Sequence, residues 1–266
     1  MSEEELKSMR HSLAHIMAQA IQHLWPQAKF GVGPAIDNGF YYDIYLDNGT
    51  ISEADLPKIE EEMRKIVADN YPFERRDVSV EEAIDWAIKG DQTFKMELLN
   101  DLKRSGTTVA SELAGEKMGS VSDGDSKVET VSLYSQGDYT DLCRGGHVDS
   151  TGKVGAFKLT KTAGAYWRGN ENNPQMQRIY GVAFATQEEL DEYLNRLEIA
   201  KQRDHRKLGK ELDLYTTSPL VGIGLPLFTP RGTILRDIVA RYSNQLRQKF
   251  GFEKVWTPHI TKKDLY

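Results

Sequence analysis

Leu6, Met9, Leu13, Ile16, Ala20 and Leu24 recur at steps of three and four and draw one apolar stripe, which predicts a helix over 3–24. Pro26 closes it, because a proline ring disfavours helical geometry in the residue before it, here Trp25. At about 100° per residue, His11 and His15 share a face with Gln22 opposite that stripe, flanked by the small Ala14 and Ala18. The pair is therefore expected to point away from the main core, toward solvent or a cleft.

The pattern then shortens. Asp37-Asn38-Gly39 followed by Phe40-Tyr41-Tyr42 predicts a hairpin, and 53–70 reads as a charged helix followed by an extended piece at 72–76. Ser79-Val80-Glu81-Glu82 is a capping box that opens a short helix ending near Gly90. Residues 93–99, which carry Lys95, fit either a helix or a strand. Residues 105–129 are rich in Gly, Ser, Thr and charge and read as an inserted surface loop. Leu133, Tyr134 and Tyr139 lead as a strand into the loop of Cys143, where Gly145-Gly146 demands a turn. Strands are expected over 154–159 and 177–185, flanking Gly164-Ala165-Tyr166-Trp167-Arg168-Gly169. A second capping box, Thr186-Gln187-Glu188-Glu189, starts a long polar helix to about Leu208 that reads as a linker. Turns follow at 222–226 and 229–232, then a helix over 234–250 and a short strand through Val255-Trp256-Thr257-Pro258.

Composition narrows the class. The 266 residues suffice for one large domain or two ordinary ones, and 28% charged with 39% apolar residues is a globular balance. A formal charge of −6 offers no global attraction to nucleic acid, so any RNA contact needs local basic patches. The single cysteine excludes an internal disulfide and suits a reducing compartment. No apolar run is long enough to span a bilayer and the first residues are acidic, so a cytoplasmic protein without membrane association is expected.

The chemistry concentrates in two spaced pairs, His11-x-x-x-His15 and Cys143-Arg-Gly-Gly-His147, which together hold three of the six histidines and the sole thiol. Four N/S donors suit tetrahedral zinc. Imidazoles with a lysine and an acid can equally position water and move protons without a metal. Cys143 as a nucleophile is a third option, resting only on its uniqueness. On composition alone, Asp141 and Lys95 read as ordinary surface charges.

Longer motifs carry a resemblance. His11-Ser12-Leu13-Ala14-His15, the run Gly33-Pro34-Ala35-Ile36-Asp37-Asn38-Gly39-Phe40-Tyr41-Tyr42-Asp43, and Asp141-Leu142-Cys143-Arg144-Gly145-Gly146-His147 occur in order. They are followed by Gly164-Ala165-Tyr166-Trp167-Arg168-Gly169 and Gln177-Arg178-Ile179-Tyr180-Gly181. Over nearly its whole length the chain resembles the N-terminal half of the threonyl-tRNA synthetase family, class II aminoacyl-tRNA synthetases. Alanyl-tRNA synthetases share the two histidine-containing pairs in their own editing region.

The resemblance implies an α/β (α+β) editing domain over 1–185 with an antiparallel or mixed sheet and helices. A linker helix over 186–212 and the start of a class II antiparallel-sheet core over 213–266 would follow. It implies a parent that ligates threonine to tRNA(Thr) with ATP, Mg and a catalytic-domain Zn. The editing part would hydrolyse mischarged seryl-tRNA(Thr) with no cofactor of its own. His11 and His15 would line the editing pocket, with His11 positioning water or the terminal ribose. Lys95 would stabilise or protonate the leaving ribose oxygen, Asp141 would bind the seryl ammonium, and Cys143 and His147 would help orient water. The threonyl branch favours a metal-free site; the alanyl branch implies zinc on His11, His15, Cys143 and His147. A non-catalytic module that grips the tRNA acceptor end is a further alternative. Pro258 matches the proline of the first class II signature motif, which in the family lies at a homodimer interface. The second and third motifs are not among these residues, so no threonine activation is expected from them alone. Gly146 stands where the family commonly has proline, which should loosen the loop carrying His147.

Overall fold

A computed structural model describes residues 1–105, 128–222 and 224–257. The first helix, α1 (Glu3–Leu24), starts on Ser2, whose hydroxyl accepts from the Glu5 amide while the Glu5 carboxylate accepts from the Ser2 amide, a reciprocal cap. Glu3, Glu4 and Glu5 in its first turn oppose the positive end of the helix dipole. Short strands β1 (Lys29–Phe30) and β2 (Ala35–Ile36) lead into β3 (Gly39–Tyr45), and the predicted hairpin is present with Ile36 opposite Gly39. Helix α2 (Leu56–Asp69) ends on Asn70 in the left-handed conformation, φ 55°.

Next come β4 (Glu74–Ser79), α3 (Val80–Lys89) and α4 (Thr93–Ser105). The ambiguous segment carrying Lys95 is therefore helical. Strands β5 (Thr130–Gln136), β6 (Tyr139–Leu142), β7 (Ala156–Tyr166) and β8 (Gln175–Phe184) complete the first compact unit, Met1–Tyr193. The larger sheet runs β1-β3-β8-β7 with β2 attached to β3, and the smaller runs β4-β5-β6. Every described pairing is antiparallel. The expected inserted loop over 105–129 falls almost entirely outside the described residues.

The main core forms where α1 and α2 pack on the inward face of the larger sheet, joining Leu13, Ile16 and Met17 to Ile59, Met63, Phe40, Ile44 and Ile179. Phe40, Tyr42 and Ile44 alternate inward along β3, as a half-buried strand requires. Helix α1 is buried on more than its stripe: Ser12, Ala14, His15, Ala18 and Gln19 are all inaccessible, so of the two expected settings for the histidine face, solvent or a cleft, His11 and His15 take the cleft. That second face is covered by residues of the smaller-sheet region, including Tyr139 and Phe73.

His23 near the end of α1 clamps two elements, with Nδ1 2.8 Å from Glu62 on α2 and Nε2 3.0 Å from Asp138 between β5 and β6. Partial burial disfavours the charged ring, but the hydrogen bonds and charges of Asp138 and Glu62 outweigh it and raise its pKa above 6.5. The stabilisation is complete below the unfolded pKa and fades as pH rises through the folded one. Wild type should therefore melt above His23→Gln by on the order of 2 °C at pH 6, with the gap closing as pH rises through the raised folded pKa. A gap independent of pH would mean that the ring is not charged in the fold. Gln19, which binds Asp138, Lys65, which binds Glu62, and Tyr71, which feels the Asp138 charge, are further polar neighbours of the clamp.

The second compact unit is Leu194–Tyr266. The long polar helix expected from the second capping box is two helices, α5 (Gln187–Gln202) and α6 (His205–Glu211), because Asp204 caps a new start by accepting from the Arg206 amide at 2.8 Å. Strands β9 (Tyr215–Thr216) and β10 (Leu227–Phe228) pair antiparallel. Helix α7 (Pro230–Lys249) begins on Thr229 with proline at its first position. It leaves Ile234, Ile238, Val239 and Tyr242 exposed. The short strand expected over 255–258 is absent from Val255–Thr257, and Pro258 lies outside the described residues. Among the described residues no helix is long and apolar enough to cross a membrane.

Candidate functional site

One turn of α1 sets His11 and His15 on a single face, their ring centroids 5.2 Å apart. The loop after β6 delivers Cys143 and His147 to that face. His147 lies 4.5 Å from the His11 ring and 4.4 Å from the His15 ring, while Cys143 Sγ is 3.4 Å from His11 Nε2 and 3.3 Å from His147 Nε2. All four donors fall within 4.8 Å of one another. The two pairs, more than 120 residues apart in sequence, thus meet in one cluster.

Loop geometry depends on glycine. Gly145 and Gly146 have φ of 105° and 80°, outside the range of side-chain-bearing residues, and a Cβ on Gly145 would lie 2.3 Å from the Tyr134 hydroxyl. Proline, fixed near φ −65°, cannot adopt this conformation at 146. The ring of His147 stacks on Phe73 at 4.7 Å and 1°, with Tyr134 4.8 Å away.

Beside the cluster, Lys95 on α4 and Asp141 on β6 form an ion pair at 2.6 Å, both almost fully buried. This corrects the surface-charge reading of both. Tyr42 completes the group: its hydroxyl donates to Asp141 Oδ2 and accepts from Lys95 Nζ at 3.0 Å. Asp141 Oδ1 also accepts from the Leu142 amide at 2.8 Å, and Oδ2 stands 3.9 Å from His15 Nε2. Sequence reasoning missed Tyr42 as a site residue. Its signal was an inward-facing hydroxyl on an apolar strand, which must find a buried partner.

Electrostatics keep His15, His147 and Cys143 neutral. Burial first, then His11 and Lys95, push His15 well below its ordinary range; burial, then His15 and His11, do the same to His147. Burial pushes the Cys143 thiol up to about 12, which opposes the nucleophile reading, since the thiolate is the reactive form. Burial also raises the Tyr42 hydroxyl well above its usual value, so it stays protonated. The donor set suits a soft divalent ion. Tetrahedral zinc with bonds of about 2.0–2.3 Å brings its ligand atoms to roughly 3.3–3.7 Å from one another, close to the two sulfur–nitrogen contacts. His15 Nδ1 is buried with no hydrogen-bond partner, as a nitrogen kept for a metal would be.

His11, His15 and Cys143 of the cluster, together with Lys95 and Asp141, line a cleft of about 1100 Å³. Tyr41, Trp167 and Arg178 line it too, and Arg178 is fixed by two bonds to Asp43 at 2.6 and 2.8 Å. Arg75, Arg144 and Arg168 bring further cations to the cleft, in a chain whose net charge is negative.

Residues 131–180, which carry β5, β6, the Cys143 loop, β7 and part of β8, match the Threonyl and Alanyl tRNA synthetase second additional domain. The chain is also 48% identical over 263 residues to a threonine–tRNA ligase of Geobacillus sp. (strain WCH70), covering 99% of this chain and 37% of that protein. Threonine–tRNA ligase 1 of Bacillus subtilis (strain 168) is 48% identical over 266 residues, covering 100% of this chain and 38% of the relative. Over its whole length the chain is similar to threonine–tRNA ligases. A threonine–tRNA ligase of Dehalococcoides mccartyi is 47% identical over 262 residues, 98% of this chain and 40% of its own length. The chain therefore spans well under half the length of these threonyl-tRNA synthetase relatives.

Proposed function

We propose that the cleft hydrolyses the aminoacyl ester of seryl-tRNA(Thr), as the proofreading part of an enzyme that ligates threonine to tRNA(Thr) with ATP, Mg and a catalytic-domain Zn. The observation that carries this reading is the meeting of His11, His15, Cys143 and His147 in one cluster, three of whose members line the same cleft as the Lys95–Asp141 pair. A missing methyl is worth only about 1–3 kcal/mol, or roughly 10–200-fold, so a site built for threonine admits serine and needs a second, smaller sieve.

The chemistry is balanced and simple. Water oxygen bonds to the ester carbonyl carbon, a neutral imidazole takes its proton, the carbon–oxygen bond to the ribose breaks, and the proton passes to the ribose oxygen. His11, at the open side of the cluster, positions that water or the terminal ribose. Asp141 receives the seryl ammonium; as it does so, its hold on Lys95 weakens, leaving the lysine to stabilise the departing ribose oxygen. Cys143, as a neutral thiol, and His147 orient the water. The cations in the cleft suit the phosphates of a tRNA acceptor end, so binding should weaken with salt. The exposed apolar positions of α7 suit a homodimer contact in the longer parent.

A zinc-organised version of the same site is the second reading, favoured by the spacing of the four donors and the orphaned His15 Nδ1. His11, His15, Cys143 and His147 would hold the ion, which when bound supplies a Lewis acid and a bound water acidic enough to ionise near pH 7.

Deacylation assays with seryl- and threonyl-tRNA(Thr) test the function. Seryl ester should be cleaved at least about tenfold faster than threonyl ester. Equal rates on both, or none on either, would sink the reading. Metal content of the purified protein separates the two versions of the site.

A further inference from the structure

Ser12 stands between the two helix histidines and has no part in the roles assigned above. It is fully buried on α1, yet its oxygen has three polar partners: the Ser8 carbonyl at 2.9 Å, the Val148 amide at 3.0 Å and His147 Nδ1 at 3.2 Å. A hydroxyl has one proton and two lone pairs. The Ser8 carbonyl can only accept and, at 2.9 Å, is the nearer of the two groups able to take the hydroxyl proton, so the proton is assigned there. The Val148 amide can only donate, so it occupies one lone pair. What remains for His147 is the second lone pair, and Nδ1 must carry a hydrogen to meet it. In a neutral imidazole the other nitrogen is then bare. That nitrogen, Nε2, is the one 3.3 Å from Cys143 Sγ.

We propose that Ser12 is a positioning residue: it fixes His147 as the Nδ1–H tautomer and so presents an unprotonated Nε2 to Cys143 Sγ, which borders the cleft. The other contacts of the ring set its plane but not its tautomer, because Phe73 stacks on its face and Tyr134 tilts against it. The opposite tautomer would aim an N–H at Cys143 Sγ, which already accepts from the Gly145 amide at 3.3 Å. Ser12 also closes the loop. Gly145 and Gly146 contribute no side chain to anchor it, and the Val148–Ser12 bond ties it to α1 immediately past His147. One hydroxyl thus sets both the place and the lone-pair direction of this imidazole.

The catalytic consequence rests on the hydrolytic reading above; the tautomer does not. If the cleft cleaves an ester, bare Nε2 takes the proton of the attacking water as its oxygen bonds to the carbonyl carbon. The same nitrogen returns that proton to the ribose oxygen as the ester bond breaks, while Nδ1–H stays on Ser12 throughout.

Long-range proton–nitrogen correlation spectra of the full chain, labelled at histidine nitrogens and treated with chelator, read the tautomer directly, with His147→Asn identifying the signals. A protonated Nδ1 and a bare Nε2 on His147 support the proposal; the reverse pattern in wild type overturns it without any variant. In Ser12→Ala the Nε2–H form should become prominent, and kcat for seryl-tRNA cleavage should fall about 10–100-fold with KM within about twofold. An unchanged tautomer in that variant also overturns the proposal. If Ser12→Ala fails to fold, the wild-type spectrum alone decides. A wild type with the Nδ1–H tautomer but no turnover on any aminoacyl-tRNA supports the role of Ser12 and overturns the hydrolytic reading instead.

Discussion

Lys95→Met is expected to destabilise the first compact unit by about 3–5 kcal/mol, the largest effect of any single substitution at the ion pair. Lys95 and Asp141 are held at 2.6 Å with side chains 4% and 2% exposed, so neither can turn to water when its partner is lost. Replacing the lysine leaves a carboxylate whose remaining partners include the Tyr42 and Tyr139 hydroxyls, the Leu142 amide and a distant His15, none of them a full positive charge. The double variant Lys95→Met/Asp141→Leu removes both charges and should recover much of the loss, because paired apolar groups of similar size often replace a buried ion pair at little cost. Urea midpoints of the wild type, the two single variants and the double variant measure this. A Lys95→Met protein within about 1 kcal/mol of wild type would show that water reaches the pair.

The sequence made some of this architecture legible because the signals were local. The stripe on α1, the hairpin at Asp37-Asn38, and the caps at Ser79 and Thr186 depend on residues within a few positions of one another, and all four are present in the fold. The failures share a different cause. Lys95 and Asp141 looked like surface charges because nothing near either one in sequence reveals a partner 46 positions away. Solvent and a cleft stayed equally open for His15 because one stripe implies one buried face, whereas a second layer formed by Tyr139 and Phe73 buries the other. The polar helix after Thr186 broke at Asp204 because a side-chain oxygen there offers the next amide a better partner than the helix does. Ser12 was passed over as a spacer within the first histidine pair; its polarity on an otherwise buried stretch of helix was the available signal.

The meeting of the two histidine-containing pairs lies between these extremes. Their residue types suggested a joint site, but periodicity and spacing were compatible with metal, proton transfer or a nucleophile. Packing supplies what spacing could not: burial keeps His15, His147 and the Cys143 thiol neutral, and the ion pair beside them supplies fixed charge without placing a net charge in the cluster. Neutral imidazoles are the form that accepts a proton from water, and a neutral thiol donates a hydrogen bond without attacking.

His11→Ala should then separate chemistry from folding more cleanly than any other change in the cluster. Unlike His15, His11 is partly exposed at the cleft, so its removal opens no large core cavity, and the melting temperature should stay within about 2 °C of wild type. Hydrolysis of seryl-tRNA(Thr) should fall by about 10²–10⁴-fold, the usual worth of one positioned acid–base or water-orienting group, with the loss in kcat rather than KM. His15→Ala would lose activity as well, but with a drop in stability, because a buried ring between Tyr139 and Phe73 is removed along with the nitrogen. Comparing the two distinguishes an imidazole that acts on substrate from one that holds the cluster together. A His11→Ala protein that retains more than about a tenth of wild-type hydrolysis would remove His11 from the water-positioning role and shift it to His147, whose Nε2 lies 3.3 Å from the thiol.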